Sequence, residues 1–211
     1  MIKKVYRCIA VIIGLNAFSF AGMPFSVDDA GTVEQGNFEI ESAVSFWKEY
    51  GEAGLGVKHG LTEKMDIGAG FGYTFAPEDA ASMSSLGLSL KFVAIEDHLA
   101  LSLAGTLGET AYAANVILSH SVKSIGFNAN LGFEAEGGID SALMTFGVST
   151  LYESDRFITG FEIAGNHDEL NWWQIGVAVQ IVDWTVIAVG LGGNFQNIDA
   201  LVVTSGITIS F

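Results

Sequence analysis

The chain reads as all-β: a closed antiparallel transmembrane barrel of twelve strands, with ten as the alternative count, behind a cleaved signal peptide. Three observations predict it. Apolar and small or polar side chains alternate strictly over long stretches. The polar face is mostly Gly, Ser, Thr, Asn and Gln, with few of the lysines that a water-facing sheet carries. The first residues have the make-up of an export signal.

Lys3, Lys4 and Arg7 form the positive start of that signal, and Ile9 to Leu15 its apolar run. Ser19-Phe20-Ala21 offers small residues at the positions a signal peptidase reads, which places cleavage after Ala21 and the signal at 1–21. The run is too short for a spanning helix, so an uncleaved N-terminal anchor is the weaker alternative. Cys8 lies inside the run, so the mature chain has no cysteine, and disulfides, thiolate metal sites and cysteine nucleophiles are excluded together. The signal also carries three of the nine basic residues. Six then remain against 24 acidic ones, a formal charge of −18, which disfavours nucleic acid as a partner. Half the residues are apolar and they alternate, which excludes disorder.

Residues 22–35 are expected as a periplasmic N-terminal segment and 36–211 as the outer-membrane barrel. Met65, Ile67, Ala69, Phe71, Tyr73 and Phe75 alternate with Asp66, Gly68, Gly70, Gly72 and Thr74, a pattern no 3.6-residue period produces. The same split recurs at 125–135 and 173–181. Read throughout, it predicts strands near 37–48, 52–59, 64–75, 85–95, 98–107, 112–122, 124–135, 142–152, 156–165, 171–182, 184–193 and 200–211. The eleventh alternates least cleanly, at Val186 to Val189. Strands near eleven residues suit a tilted crossing of the hydrocarbon layer, and a closed barrel satisfies every backbone group in lipid. A soluble ligand-binding barrel is the alternative. The longest gaps, Ala76–Ser84, Asn166–Leu170 and Asn194–Asp199, all fall at odd-numbered connections, as outward loops would, while the even-numbered turns are tight.

The last strand puts Leu201, Val203, Ile207, Ile209 and Phe211 on one face, resembling the C-terminal signal read by the barrel-insertion machinery. Tyr152, Phe157, Trp173, Trp184 and Phe211 fall near strand ends on the apolar face, the place of an interfacial aromatic girdle.

The stretch Pro24-Phe25-Ser26-Val27-Asp28-Asp29-Ala30-Gly31-Thr32-Val33-Glu34, continuing to Gly36, Phe38 and Glu41, resembles the opening of a transporter-like outer-membrane family named for the "MetA-pathway of phenol degradation". Gly56-Val57-Lys58-His59-Gly60-Leu61-Thr62-Glu63-Lys64-Met65-Asp66 is similar to that family's strand–turn–strand unit. The family name implies uptake of aromatic compounds. No residue here shows a phenol site, and no catalytic residues carry over.

Asp28-Asp29 is expected to be a solvated, turn-forming stretch, with cation binding or a place in the barrel mouth as alternatives. His120 and Ser121 alternate to opposite faces and cannot share a proton, which weighs against a lipid hydrolase. His59, His98 and His167 have no metal-ligand spacing, so neither a metal site nor a cofactor is expected. The outer loops carry Glu78, Asp79, Glu109, Asp140, Asp168, Glu169 and Asp199, a rim that solvates the loops or bridges through cations to lipopolysaccharide.

By parity Glu39, Glu41, Lys58, Asp66 and Lys91 face the lumen at one level, with Arg156 expected to reach them across it. Asn128, Asn130, Glu134, Glu162, Gln174 and Gln180 face inward elsewhere. Twelve strands about 4.8 Å apart, tilted about 40°, close at roughly 12 Å backbone radius, which inward glycines widen. The function expected is passive passage of small solutes, hydrophobic or aromatic ones included, across the outer membrane of a Gram-negative type of cell after export through the inner one. A closed barrel serving envelope integrity or surface interaction is the second reading. The partners expected are outer-membrane lipid and lipopolysaccharide, the insertion machinery and the solutes themselves.

Overall fold

A computed structural model describes residues 24–48, 50–77, 79, 81–138 and 141–211, with the backbone alone at 198–200. The signal residues 1–21 and the loop acids Glu78 and Asp140 lie outside this set. The strands are β1 (Phe38–Trp47), β2 (Tyr50–Thr62), β3 (Met65–Ala76), β4 (Ser82–Met83), β5 (Gly87–Ile95), β6 (Leu99–Thr106), β7 (Ala111–Val122), β8 (Ile125–Glu136), β9 (Leu143–Glu153), β10 (Phe157–Asn166), β11 (Glu169–Val182), β12 (Thr185–Asn194) and β13 (Asn197–Ser210). Each pairs antiparallel with its neighbour, and β13 returns to β1 with Glu39 opposite Ser210. Twelve strands thus close a barrel; β4 is a two-residue addition against Tyr73 and Thr74.

Closure leaves the alternation with one meaning, inside or outside. Leu88, Leu101, Val116, Leu131, Phe161 and Val177 are all exposed on the outer wall. So large an apolar surface is stable only under lipid. Even the eleventh ring strand keeps the rule, with Ala188 buried while Ile187 and Val189 are exposed.

The strands run further than the sequence predicts at two of the expected long loops. Only His167-Asp168 and Phe195-Gln196 separate β10 from β11 and β12 from β13. Backbone pairing continues through the polar Asn166↔Glu169 and Asn194↔Asn197, because ladder bonds do not require apolar side chains. The loop asymmetry rests instead on 77–86 and 137–142.

The expected aromatic positions divide between the two rims. Tyr152 and Phe157 meet with ring centroids 5.9 Å apart at one, where Trp184 and Phe211 are also exposed. Trp173 lies toward the other end of β11. His120, opposite Phe127 in the β7–β8 register, meets the ring of His98 at 5.9 Å, while Ser121 pairs with Gly126.

Candidate functional site: an occupied lumen

Residues 24–33 overturn the expectation of a solvated turn for Asp28, which is buried, while Asp29 stays exposed in a turn as expected. The stretch lies inside the ring: Phe25, Val27 and Ala30 are buried, Ala30 to 1 % exposure. The segment visits the wall strands almost in circumferential order. At its end toward β1, the Val33 N–H donates to Asp66 Oδ2 of β3 at 3.1 Å. The Ala30 N–H donates to Ser119 Oγ of β7 at 2.9 Å. The Asp28 N–H donates to Asn130 Oδ1 of β8 at 2.7 Å, and Asn130 Nδ2 donates back to the Asp28 carbonyl at 2.9 Å. On β10, Glu162 accepts from the N–H groups of Ser26 and Val27 at 2.8 and 2.9 Å and from Ser26 Oγ at 2.7 Å. On β11, Gln174 donates to the Pro24 carbonyl.

The physical reason is backbone accounting. A segment taken out of water without a neighbouring strand must find partners for its N–H and C=O groups, and wall side chains supply them. The remaining local turns satisfy themselves, with Asp28 Oδ1 accepting from the Asp29 N–H and Asp29 Oδ1 from the Gly31 N–H. A second tier holds the acceptors in place. Ser119 Oγ donates to Asn128 Oδ1 at 2.7 Å, and Asn128 Nδ2 donates to Ser149 Oγ at 3.3 Å. Trp172 Nε1 donates to Glu162 Oε1 at 3.2 Å.

Inward glycines were expected to widen the lumen, and three of them are instead filled by the segment. A Cβ at Gly147 would come within 2.8 Å of Val27 Cγ2, and one at Gly190 within 3.1 Å of Pro24 Cβ; Gly176 is closer still to Pro24. Nothing in the alternation distinguishes these glycines from those facing open space.

The charge layer forms in altered company. Lys58 Nζ bonds Glu39 Oε1 at 3.1 Å and Glu41 Oε1 at 3.3 Å, across the β1–β2 register. Asp66 and Lys91 sit directly opposite in the β3–β5 register, yet the segment engages both. Asp66 accepts from Val33, and Lys91 Nζ bonds Asp28 Oδ1 at 2.9 Å. Burial pushes the Asp28 carboxyl above the usual carboxylate range, and the Lys91 ammonium pulls it back. Arg156 does not join them: it is exposed in the turn before β10, where its carbonyl accepts from Gln180. One residue of strand length decides this, because outside the ladder parity no longer aims the side chain inward.

Glu134, Asn128 and Asn130 line a cavity of about 990 Å³ that the segment leaves open, together with Lys58, Lys91 and Trp172. Gln180 turns to the rim, donating to the Asp183 carbonyl at 3.2 Å. Ser119 and Trp172 were missed from the sequence. Their inward parity was readable, but no local signal marks a serine or tryptophan as a partner of residues so far along the chain. Among the described residues no group of three or more His, Cys, Asp and Glu side chains could hold a metal ion.

No protein-family model and no curated protein matches this chain. Solved structures do. A KdgM porin in complex with disordered oligogalacturonate aligns with TM-score 0.67 at 9% identity over 82% of this chain and 99% of that one. A NanC porin aligns at 0.59 and 9% identity, over 82% and 98%. The COG4313 outer membrane channel from Pseudomonas putida F1 aligns at 0.57 and 8% identity, over 87% and 98%. At such identities the likeness is one of fold, and the chain has the closed twelve-strand barrel fold of outer-membrane porins and channels.

Proposed function

We propose that this protein is an outer-membrane channel for small solutes whose open area is set by its own N-terminal segment. The observation that carries the reading is the 990 Å³ cavity inside a barrel with a polar, charged lumen and an apolar outer wall. A lumen built only to brace the wall has no need of such space. The segment narrows the passage and is held by hydrogen bonds that water can replace, so its position can change without unfolding the barrel.

The cavity lining carries ten acidic residues, Glu39, Glu41, Asp66 and Glu134 among them, against Lys58 and Lys91. That balance favours neutral or cationic solutes and disfavours an acidic oligosaccharide such as the one in the KdgM complex. Hydrophobic or aromatic solutes are the finer part of the proposal. They are supported by the resemblance of the 24–41 and 56–66 motifs to the phenol-degradation family and by the Trp172 ring in the lining. Lipid and lipopolysaccharide contact the outer wall, and the terminal strand engages the insertion machinery. A closed structural barrel is the second reading, favoured by the segment's fit to the glycine cradles. Flux of small solutes through liposomes holding the purified protein decides between them, and flux no greater than in empty liposomes refutes the channel.

A further inference from the structure

The wall addresses the segment mainly through its backbone. Asn130 accepts the N–H and returns a donor to the C=O of one residue, Asp28, as a paired strand would. Glu162 takes two successive N–H groups, Ser119 takes that of Ala30, and Gln174 reaches the Pro24 carbonyl. Side-chain recognition adds discrete points: Phe25 is buried, and Ala30 packs with Val93, Ala100 and Ile117. Gly176 and Gly190 receive Pro24, Gly147 receives Val27, Glu162 takes the Ser26 hydroxyl, and Lys91 meets the Asp28 carboxylate. Hydrogen bonds to the backbone supply affinity and seats for particular side chains supply specificity, the division of labour common in peptide recognition.

We propose that the inner wall from β5 to β12 is a binding groove for short peptides, and that residues 24–30 are its tethered occupant. The ligand class is an oligopeptide of about seven residues with compact side chains at its first, fourth and seventh positions, an apolar ring at the second and a carboxylate at the fifth. The groove deepens the channel reading by naming a solute class, and it rests on that reading only for delivery of the peptide to the lumen. The tether explains why such a site stays filled: a short flexible linker holds its occupant at an effective concentration of the order of millimolar. A soluble peptide enters only at comparable concentration or when the segment is released.

The test keeps the whole chain. A site-specific protease sequence is inserted between Gly31 and Thr32, at the exposed Gly31, and the folded barrel is nicked there in detergent. Residues up to Gly31 are then held by the groove alone. A fluorescent peptide of the sequence of residues 24–31 is titrated in, and anisotropy is followed. Saturable exchange is expected, weakened at least tenfold by Asn130→Ala in the wall and by tryptophan at the Pro24 and Val27 positions of the peptide. Asn130→Asp, which keeps the acceptor for the Asp28 N–H but sets a charged oxygen against the Asp28 carbonyl, replaces the alanine variant if that one fails to fold. No binding at millimolar peptide to a nicked barrel that keeps its heat-modifiability overturns the groove. So does binding that is indifferent to both changes. Small-solute flux through the same nicked protein separates the two claims. Flux without peptide binding overturns the groove alone, whereas peptide binding without any flux supports the groove and overturns the channel.

Discussion

Replacing Glu162 by glutamine isolates what holds the segment in the lumen. The carboxylate is fully buried, and its two oxygens accept four hydrogen bonds, two at Oε2 from Ser26 and Val27 and two at Oε1 from the Ser26 hydroxyl and Trp172. An amide of the same shape has one oxygen. With the amide nitrogen in the place of Oε1, the Ser26 hydroxyl can turn to accept from it, so Trp172 Nε1 alone is left facing a donor, while the other three bonds are made to a neutral group. Hydrogen bonds to a charged group are worth about 1.5–3 kcal/mol each and neutral ones about 1, so one lost and three weakened bonds give a gross loss of about 3–6 kcal/mol. Relief of a buried charge offsets part of it, and a net cost of about 3 kcal/mol is reasonable. That is about a hundredfold in the docked-to-undocked ratio. The one cysteine of the sequence is Cys8, so in a Cys8→Ser background a single Ala30→Cys reports docking cleanly, since Ala30 is buried against Val93, Ala100 and Ile117. Maleimide labelling of that cysteine is expected to be about a hundred times faster with Glu162→Gln than without it, under conditions where opening precedes labelling. Equal labelling rates in two equally heat-modifiable barrels would refute the role assigned to Glu162.

Gly176→Leu places a side chain where Pro24 sits, and liposome swelling with small solutes should rise as the segment end is expelled; unchanged swelling removes the cradle. Lys58→Ala strands the buried Glu41 and the half-buried Glu39 carboxylates, at a cost of up to about 3–5 kcal/mol for a buried pair. Its heat-modification midpoint should fall, and bilayer reversal potentials should move toward cations. In a double-mutant cycle, Lys91→Ala and Asp28→Asn should couple by about 0.5–3 kcal/mol in Ala30→Cys protection, while strict additivity would show the pair to be incidental. Tags inserted at Asp79, Asp168 or Asn197 should be reachable in intact cells and tags at Glu63 or Ser154 should not, with reversed accessibility overturning the assignment of sides.

The barrel was legible because each strand carries its own instruction. Met65 to Phe75 alternates without exception whatever surrounds it, and a two-residue period admits only one backbone. Repeated along the chain with short turns, it leaves closure as the arrangement that satisfies every backbone group in lipid. Parity likewise gave Glu162, Asn130 and Gln174 an inward direction, and put Lys58 in the same inner layer as Glu39. It could say nothing of what they meet. Residues 24–33 have no period, and their partners stand 102 to 150 residues away along the chain at Asn130, Glu162 and Gln174. Inward asparagine or glutamate reads equally as a hydrated lumen, and inward glycine as empty space. Only when closure brings β7 to β12 around one segment do those side chains become partners for its backbone, and the glycines become seats for Pro24 and Val27. Alternation is a property of neighbours in sequence, whereas occupancy of the lumen depends on distances that exist only in the closed ring.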